Sequence, residues 1–283
     1  MTRNVRIDGA VDQRPSAFRL FSWQRVGAMV LRHLYLLRGS WVRIVEMAYW
    51  PTVQMIMWGF ITQFFVGHSD WVAQASGVLL GAVLLWDVMF RGNLGLSLSF
   101  MEEMWSRNLG HLSVSPLRPV ELVAALITMS FVRTVIGVLP AALLAIPLYH
   151  FSIFDMGLPL VAFFANLMMS GWCVGLAVSA LVLRFGLGAE SLAWVMIFAL
   201  APLSGIYYPI SVLPEWLQAV AMALPPAHVF EGMRAVMFGH GFRMDLFAAG
   251  LGLNLIYLAA SGGLFLHVFK VARRRGLLLN MGE

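Results

Sequence analysis

Three charged residues lie close together in a polar stretch between two long apolar runs. Glu102, Glu103 and Arg107 fall within six positions of one another. On a helix this spacing places both signs of charge on one short surface. Hydrogen bonds that involve charged groups are stronger than those between neutral groups, which suits contact with a second protein. We therefore expect these residues to hold a partner, and Pro116 to end their surface.

A second group of candidate residues lies in a proline-rich stretch before the last apolar run. Residues 216–230 carry no charge, but prolines interrupt them and they are too short to cross about 30 Å of hydrocarbon. We expect this segment to enter the outer leaflet and return. The candidate residues in and beside it are Pro209, Pro214, Trp216, Pro225, Pro226, Glu231 and Arg234.

A third group lies within the apolar runs. Arg133 is a charge that lipid disfavours, which makes it a candidate for a transport pathway. Trp58 and Phe64 offer aromatic surfaces to a substrate, although contact with lipid explains them equally well. Asp87 and Arg91 are four residues apart on one run and are expected to neutralise each other near the end of a helix.

Several kinds of site are excluded by residue type. A phosphate-binding loop needs Gly-Lys followed by Ser or Thr, but the single lysine, Lys270, is followed by Val271. The histidines lack metal-ligand spacing, and Cys173 has no cysteine partner. We expect no catalytic residue, no metal and no cofactor bound by this chain, so it is not predicted to be an enzyme.

The composition indicates an integral membrane protein. Hydrophobic residues make up 60% of the 283 residues and charged residues only 12%, which is more apolar surface than a soluble domain of this size can bury. The basic residues lie at the ends of apolar runs, so the net charge of +5 indicates membrane orientation and no nucleic acid partner.

The apolar runs predict an all-α protein with six transmembrane helices. The runs are residues 47–67, 71–91, 122–149, 156–183, 191–208 and 246–269, and the short segment 68–70 makes the first two a tight hairpin. Most of the 19 Lys and Arg then lie on the side of the N-terminus. By the positive-inside rule both termini are cytoplasmic, as in a multi-pass protein of a bacterial inner membrane.

The predicted organisation has three parts. Residues 1–40 form a cytoplasmic tail and an amphipathic helix over 18–37 that lies on the membrane surface, with Arg25, Arg32 and His33 on its polar face. Residues 41–270 form the six-span domain, and 271–283 form a basic cytoplasmic tail. Small residues at every fourth position (Gly77 and Gly81; Gly171, Gly175 and Ser179) permit close helix packing, either within the chain or between two copies.

Two segments resemble the type-2 ABC (ABC-2) export permeases. Residues 100–122 read FMEEMWSRNLGHLSVSPLRPVEL, an acidic helix followed by a Ser-Pro-Leu turn, and residues 202–234 read PLSGIYYPISVLPEWLQAVAMALPPAHVFEGMR. In that family the first segment contacts the ATPase and the second forms short re-entrant helices on the outer face that close the top of the pathway. The resemblance therefore implies that the candidate residues in and beside 216–230 form an external gate. One departure is Pro225-Pro226, where many relatives have Asn-Pro.

The resemblance implies a permease subunit of an ATP-driven exporter. Two copies of a separate ATPase subunit would bind ATP and Mg, and a second permease copy would complete a dimer, expected to be a homodimer. The substrate would be amphipathic: a polysaccharide, a lipid-linked glycan, a lipid or a drug. Two other classes remain, a secondary transporter or channel, and an intramembrane hydrolase. The first predicts internal repeats that we do not find, and the second would want Gly where Pro202 precedes Ser204-Gly205.

Overall fold

The computed structural model describes residues 21–66 and 70–276, with the side chains of these ranges except those of residues 65–66, 70–76 and 187. The described residues form helices joined by short turns. The helices are α1 (Trp23–Arg38), α2 (Trp41–Val66), α3 (Asp70–Trp105), α4 (Leu109–Val114), α5 (Pro119–Tyr149), α6 (Leu158–Phe185), α7 (Leu192–Leu200), α8 (Glu215–Met222), α9 (Pro225–Met237) and α10 (Met244–Arg274). Much of the N-terminal tail, the hairpin turn predicted at 68–70 and most of the C-terminal tail lie outside the described residues.

The structure confirms an all-α membrane protein. Among the described residues, four helices are long and apolar enough to cross a membrane: Gly77–Trp105, Pro119–Tyr149, Leu158–Phe185 and Met244–Arg274. With 26 residues α2 is also long enough to cross, but it is not among these four. Six crossings therefore stay a prediction.

The fifth apolar run does not form one crossing helix. Helix α7 has 9 residues and spans about 14 Å, less than half of the hydrocarbon layer. Turns occupy residues 201–208. Pro202 has no N–H to continue the hydrogen bonds of α7, and Gly205 has φ +67°, which ends the helical path. The prediction of a single helix over 191–208 was wrong.

Helix α3 lies at the centre of the bundle. It packs against α2, α5 and α6, and α6 in turn packs against α10. It contains 36 residues and therefore extends about 54 Å, much further than the predicted run of 71–91. Glu102 and Glu103 consequently lie in the last turn of this same helix. They do not belong to a separate helix of the connecting loop.

Glycines allow α3 and α6 to approach closely. A Cβ atom on Gly171 would lie 2.6 Å from the carbonyl oxygen of Met89, and one on Gly175 would lie 3.0 Å from the carbonyl oxygen of Asn93. Gly77 and Gly81 lie against Phe151 and Met237 of the same chain. Both sets of small residues therefore serve packing within the chain.

A buried polar network joins α6 to α10. The side-chain amide of Asn254 donates to the carbonyl oxygen of Asn166 at 2.9 Å, and its oxygen accepts from the Ser170 hydroxyl at 2.9 Å. Asn166 and Asn254 are nearly inaccessible. These bonds favour the pairing of α6 with α10 over others, although Nδ2 of Asn166 has no partner among the described residues.

Candidate functional site

The first candidate site is the end of the bundle that carries α4, where α1 is held by two glutamates. Glu103 is inaccessible and pairs with Arg32 of α1. The Nε2 atom of His33 lies 3.2 Å from its Oε1, and the Asn108 amide donates to its Oε2 at 2.6 Å. Because Nδ1 of His33 contacts the carbonyl oxygen of Met29 at 2.9 Å, the imidazole is fixed between α1 and α3.

Glu121 is the second glutamate, and our sequence analysis did not identify it. Its carboxylate accepts from the Arg25 guanidinium at 2.8 Å and 2.5 Å and from the backbone N–H groups of Ser22 and Arg118 at 2.9 Å each. The hydrogen bond to Glu121 raises the pKa of Arg25. Pro119 begins α5 with Glu121 in its first turn, a helix-start pattern that could have identified this residue.

Glu102 joins two further helices to α3. It pairs with Arg43 of α2 at 3.1 Å and with Arg133 of α5 at 2.8 Å. Arg133 is 7% exposed. The guanidinium that we assigned to a transport pathway therefore neutralises a carboxylate at this end of the bundle. A substrate role for Arg133 is not tested by this contact and stays a prediction.

We expected Glu102 and Glu103 to contact a partner, which requires exposed carboxylates, but the structure does not expose them. Glu103 is buried and Glu102 is mostly buried, because both side chains turn inward to the arginines of α1, α2 and α5. The surface that faces outward around α4 consists of other residues. We define the α4 surface as Trp105, Arg107, His111, Val114 and Pro116, all of which are exposed.

Arg107 occupies a backbone conformation that glycine favours. It has φ 54° in the turn between α3 and α4. A residue with a Cβ pays about 1 kcal/mol or more in this left-handed region. Its N–H donates to the Met104 carbonyl oxygen at 2.9 Å, which helps to fix the turn. An exposed arginine is therefore presented at a defined position despite a conformational cost.

The second candidate site lies at the other end of α3, around α8 and α9. Arg234 is 8% exposed, and its Nη2 donates to the carbonyl oxygen of Tyr208 at 2.6 Å and also to that of Gly205. Glu231 lies 3.5 Å from Nη1 of Arg234 and accepts from the N–H of Ile210 at 2.8 Å. Burial lowers the pKa of Arg234, and Glu231 opposes this. The pair thus fastens the turn after α7 to α9.

The prolines assigned to the gate lie at the starts of short helical segments. Pro209 precedes the turn Ile210–Val212, and Pro214 precedes α8. Pro225 and Pro226 form the first turn of α9, which separates it from α8. Trp216 is 70% exposed. Two short helices broken before Pro225 were expected, but whether they re-enter a membrane stays a prediction.

The aromatic residues assigned to the pathway do not share one environment. Trp58 is half-buried and stacks on Tyr207, with ring centroids 4.9 Å apart and planes at 21°. Phe64 is 62% exposed on α2. Within the described residues, no three His, Cys, Asp or Glu side chains are grouped in a way that could hold a metal ion.

Comparison with known proteins gives one result. The model of the ABC-2 type transporter family matches residues 29–238, which is most of the chain. No curated protein matches. The matched region includes α2 to α9, the second candidate site and the first candidate site except Ser22 and Arg25. The family is one of membrane subunits that work with an ABC ATPase subunit. The chain is therefore a multi-pass membrane protein that belongs to the ABC-2 type transporter family.

Proposed function

We propose that this chain is the permease subunit of an ATP-driven exporter and that a separate ATPase subunit docks on the α4 surface. The observation that carries the proposal is the arrangement of charge beside α4. Apolar side chains and Arg107 face outward, whereas Glu102 and Glu103 bond inward to α1, α2 and α5. A force applied to α4 would therefore reach three helices of the bundle through two carboxylates.

The exposed residues around α4 suit contact with a protein. Val114 is 84% exposed and Trp105 is 46% exposed. Interfaces commonly place aromatic and aliphatic side chains at the centre, with charges such as Arg107 at the rim. The ATPase subunit would bind ATP and Mg and hydrolyse the ATP, while this chain would form the membrane part of the transporter. Membership of the ABC-2 type transporter family supports this assignment.

The wider assembly follows the same proposal. We expect six crossings with both termini in the cytoplasm of a bacterial inner membrane, two permease copies and two ATPase subunits. The short helices α8 and α9 would form the external gate, and the substrate would be amphipathic. The mass of the purified complex, measured by light scattering, would contradict this stoichiometry if it corresponded to one permease and one ATPase.

The test of docking uses substitutions that spare the fold. Val114→Asp places a charge at a highly exposed position, and Arg107→Gly removes the guanidinium while relieving the positive φ. We expect each variant to fold but to weaken copurification with the ATPase subunit about tenfold, because a rim charge or a central apolar contact is lost. The control is Glu215→Gln, an exposed change on α8. If a variant that carries both Val114→Asp and Arg107→Gly retains the ATPase subunit and exports at the wild-type rate, docking at this surface is refuted.

A further inference from the structure

A carboxylate lies deep inside the bundle without a hydrogen-bond partner for one of its oxygens. Asp87 of α3 is 3% exposed, and its Oδ2 atom is unpartnered among the described residues. About 22 Å of helix separates it from Glu102, so it does not lie near the α4 end of the helix as we expected. Unpaired charge in this position is costly, and ionisable groups within membrane helices commonly serve transport.

A guanidinium with an unpartnered donor lies one turn further along the same helix. The Nε atom of Arg91 is buried without a hydrogen-bond partner in the part of the chain that the structure describes. Its side chain passes between α2 and α5 through space left by Gly137, where a Cβ atom would lie 2.8 Å from Arg91 Nε and 2.9 Å from the Met47 carbonyl oxygen. Asp87 and Arg91 thus present an unused acceptor and an unused donor at i and i+4.

A pair of stacked aromatic rings is the third part of this region. Trp58 of α2 stacks on Tyr207 of the turn after α7. Burial raises the pKa of the Tyr207 phenol, and the nearby Asp87 carboxylate raises it further. Tyr207 is 44% exposed, so the stack has an accessible side. Three separate elements, α2, α3 and the turn, therefore meet around Asp87.

We propose that Asp87 and Arg91, together with the Trp58–Tyr207 stack, bind the neutral polyhydroxylated part of the exported molecule, such as a sugar. A hydroxyl group donates and accepts at once, and so matches an unused acceptor beside an unused donor. Aromatic faces suit the apolar faces of sugar rings. The opposite charges of Asp87 and Arg91 favour a neutral ligand over an ion. Because both unpartnered atoms are enclosed, the ligand enters when α2 moves away from α3.

This inference rests on the proposed export function and makes a separate prediction about stability. Removing Asp87 alone would leave the Arg91 guanidinium buried without its opposite charge, so the stability test replaces both residues. Replacing a buried ion pair by apolar side chains is often stabilising, so the double variant Asp87→Leu with Arg91→Leu should raise the unfolding temperature of the complex in nanodiscs. The same double variant should lose transport, because both groups that contact the substrate are gone. A variant that is more stable but inactive identifies residues retained for function. A double variant that exports at the wild-type rate would overturn the proposal.

The binding experiment uses the permease–ATPase complex in detergent-free nanodiscs and two probes of equal chain length, decyl maltoside and decyltrimethylammonium. We expect the maltoside to bind the wild type. Asp87→Leu should weaken that binding about a hundredfold, whereas Asp87→Asn, whose amide oxygen still accepts from a hydroxyl, should weaken it about tenfold. The control is Asp245→Asn at the exposed start of α10, which should change nothing.

Each other outcome overturns the sugar site. Binding of the ammonium probe that is lost in Asp87→Asn would identify a cation site. If Asp87→Leu binds the maltoside as tightly as the wild type does, the space between Asp87 and Arg91 holds only water. The same conclusion follows if the wild type does not bind the maltoside. Docking on the α4 surface is tested separately by Val114→Asp and Arg107→Gly, and the Asp245→Asn control should keep the ATPase subunit and wild-type basal ATP hydrolysis, so failure of the sugar site is distinguishable from failure of docking.

Discussion

Replacing Glu103 with Gln should weaken the attachment of α1 to the bundle while leaving the rest of the fold in place. The carboxylate is buried and pairs with Arg32 and His33 of α1, whereas its contact with Asn108 lies within its own turn. Removing one partner of a buried ion pair typically costs about 3–5 kcal/mol. Arg32 is 36% exposed and can return to water, and glutamine still accepts from Asn108, so we expect about 2 kcal/mol.

A loss of about 2 kcal/mol in local stability corresponds to roughly 30-fold faster amide hydrogen exchange in α1. Hydrogen exchange with mass spectrometry on peptides from Trp23–Arg38 measures this directly, with Glu215→Gln as the exposed control. Exchange in α6 and α10 should be unchanged, since neither helix contacts Glu103 in the structure's ion pairs. A change in α1 below about threefold, or equal acceleration in α10, would show that Glu103 does not specifically hold α1.

Three further predictions concern packing and the external end. Gly171→Ala should destabilise the protein by about 1–3 kcal/mol in thermal unfolding because its Cβ would meet the backbone of α3, whereas Gly263→Ala, with open space around it, should be neutral or slightly stabilising. Asn254→Ala should cost about 1–3 kcal/mol in the same assay, since it leaves buried groups on α6 unpaired; an unchanged unfolding temperature would contradict this. Arg234→Lys should increase proteolysis between α7 and α8 about tenfold, because an ammonium is a poorer match than a planar guanidinium to two carbonyl oxygens; equal cleavage rates would refute it.

The sequence predicted those features that depend on local composition. Long apolar runs identified the four strongest spanning helices, and Pro225-Pro226 correctly marked the break between two short helices. The end of α3 could not be predicted in this way. The polar residues after Arg91 suggested a loop, but Asn93, Ser97 and Ser99 bond to backbone carbonyl groups inside the bundle, which allows the helix to continue.

The inward orientation of the Glu102 and Glu103 side chains also could not be predicted from the sequence. Spacing placed Glu102 and Glu103 on one helix, but only tertiary packing brings Arg32, Arg43 and Arg133 from three other helices to meet them. Each arginine is distant in sequence from its partner, and no local pattern reports such contacts. The resemblance identified the segment that we propose contacts a partner, but only the structure shows which residues of that segment are exposed.

The length of α3 has a mechanical consequence. This helix contains no proline, and it carries Glu102 and Glu103 at one end and Asp87 about 22 Å away. A continuous hydrogen-bonded helix moves as a rigid rod. Tilting its axis by about 10°, with the two glutamates as the pivot, therefore displaces Asp87 by about 4 Å. A hydrogen bond tolerates far less than that displacement. Small rotations at one face of the bundle are therefore enough to make or break contacts in its interior without any unfolding of the helix between them.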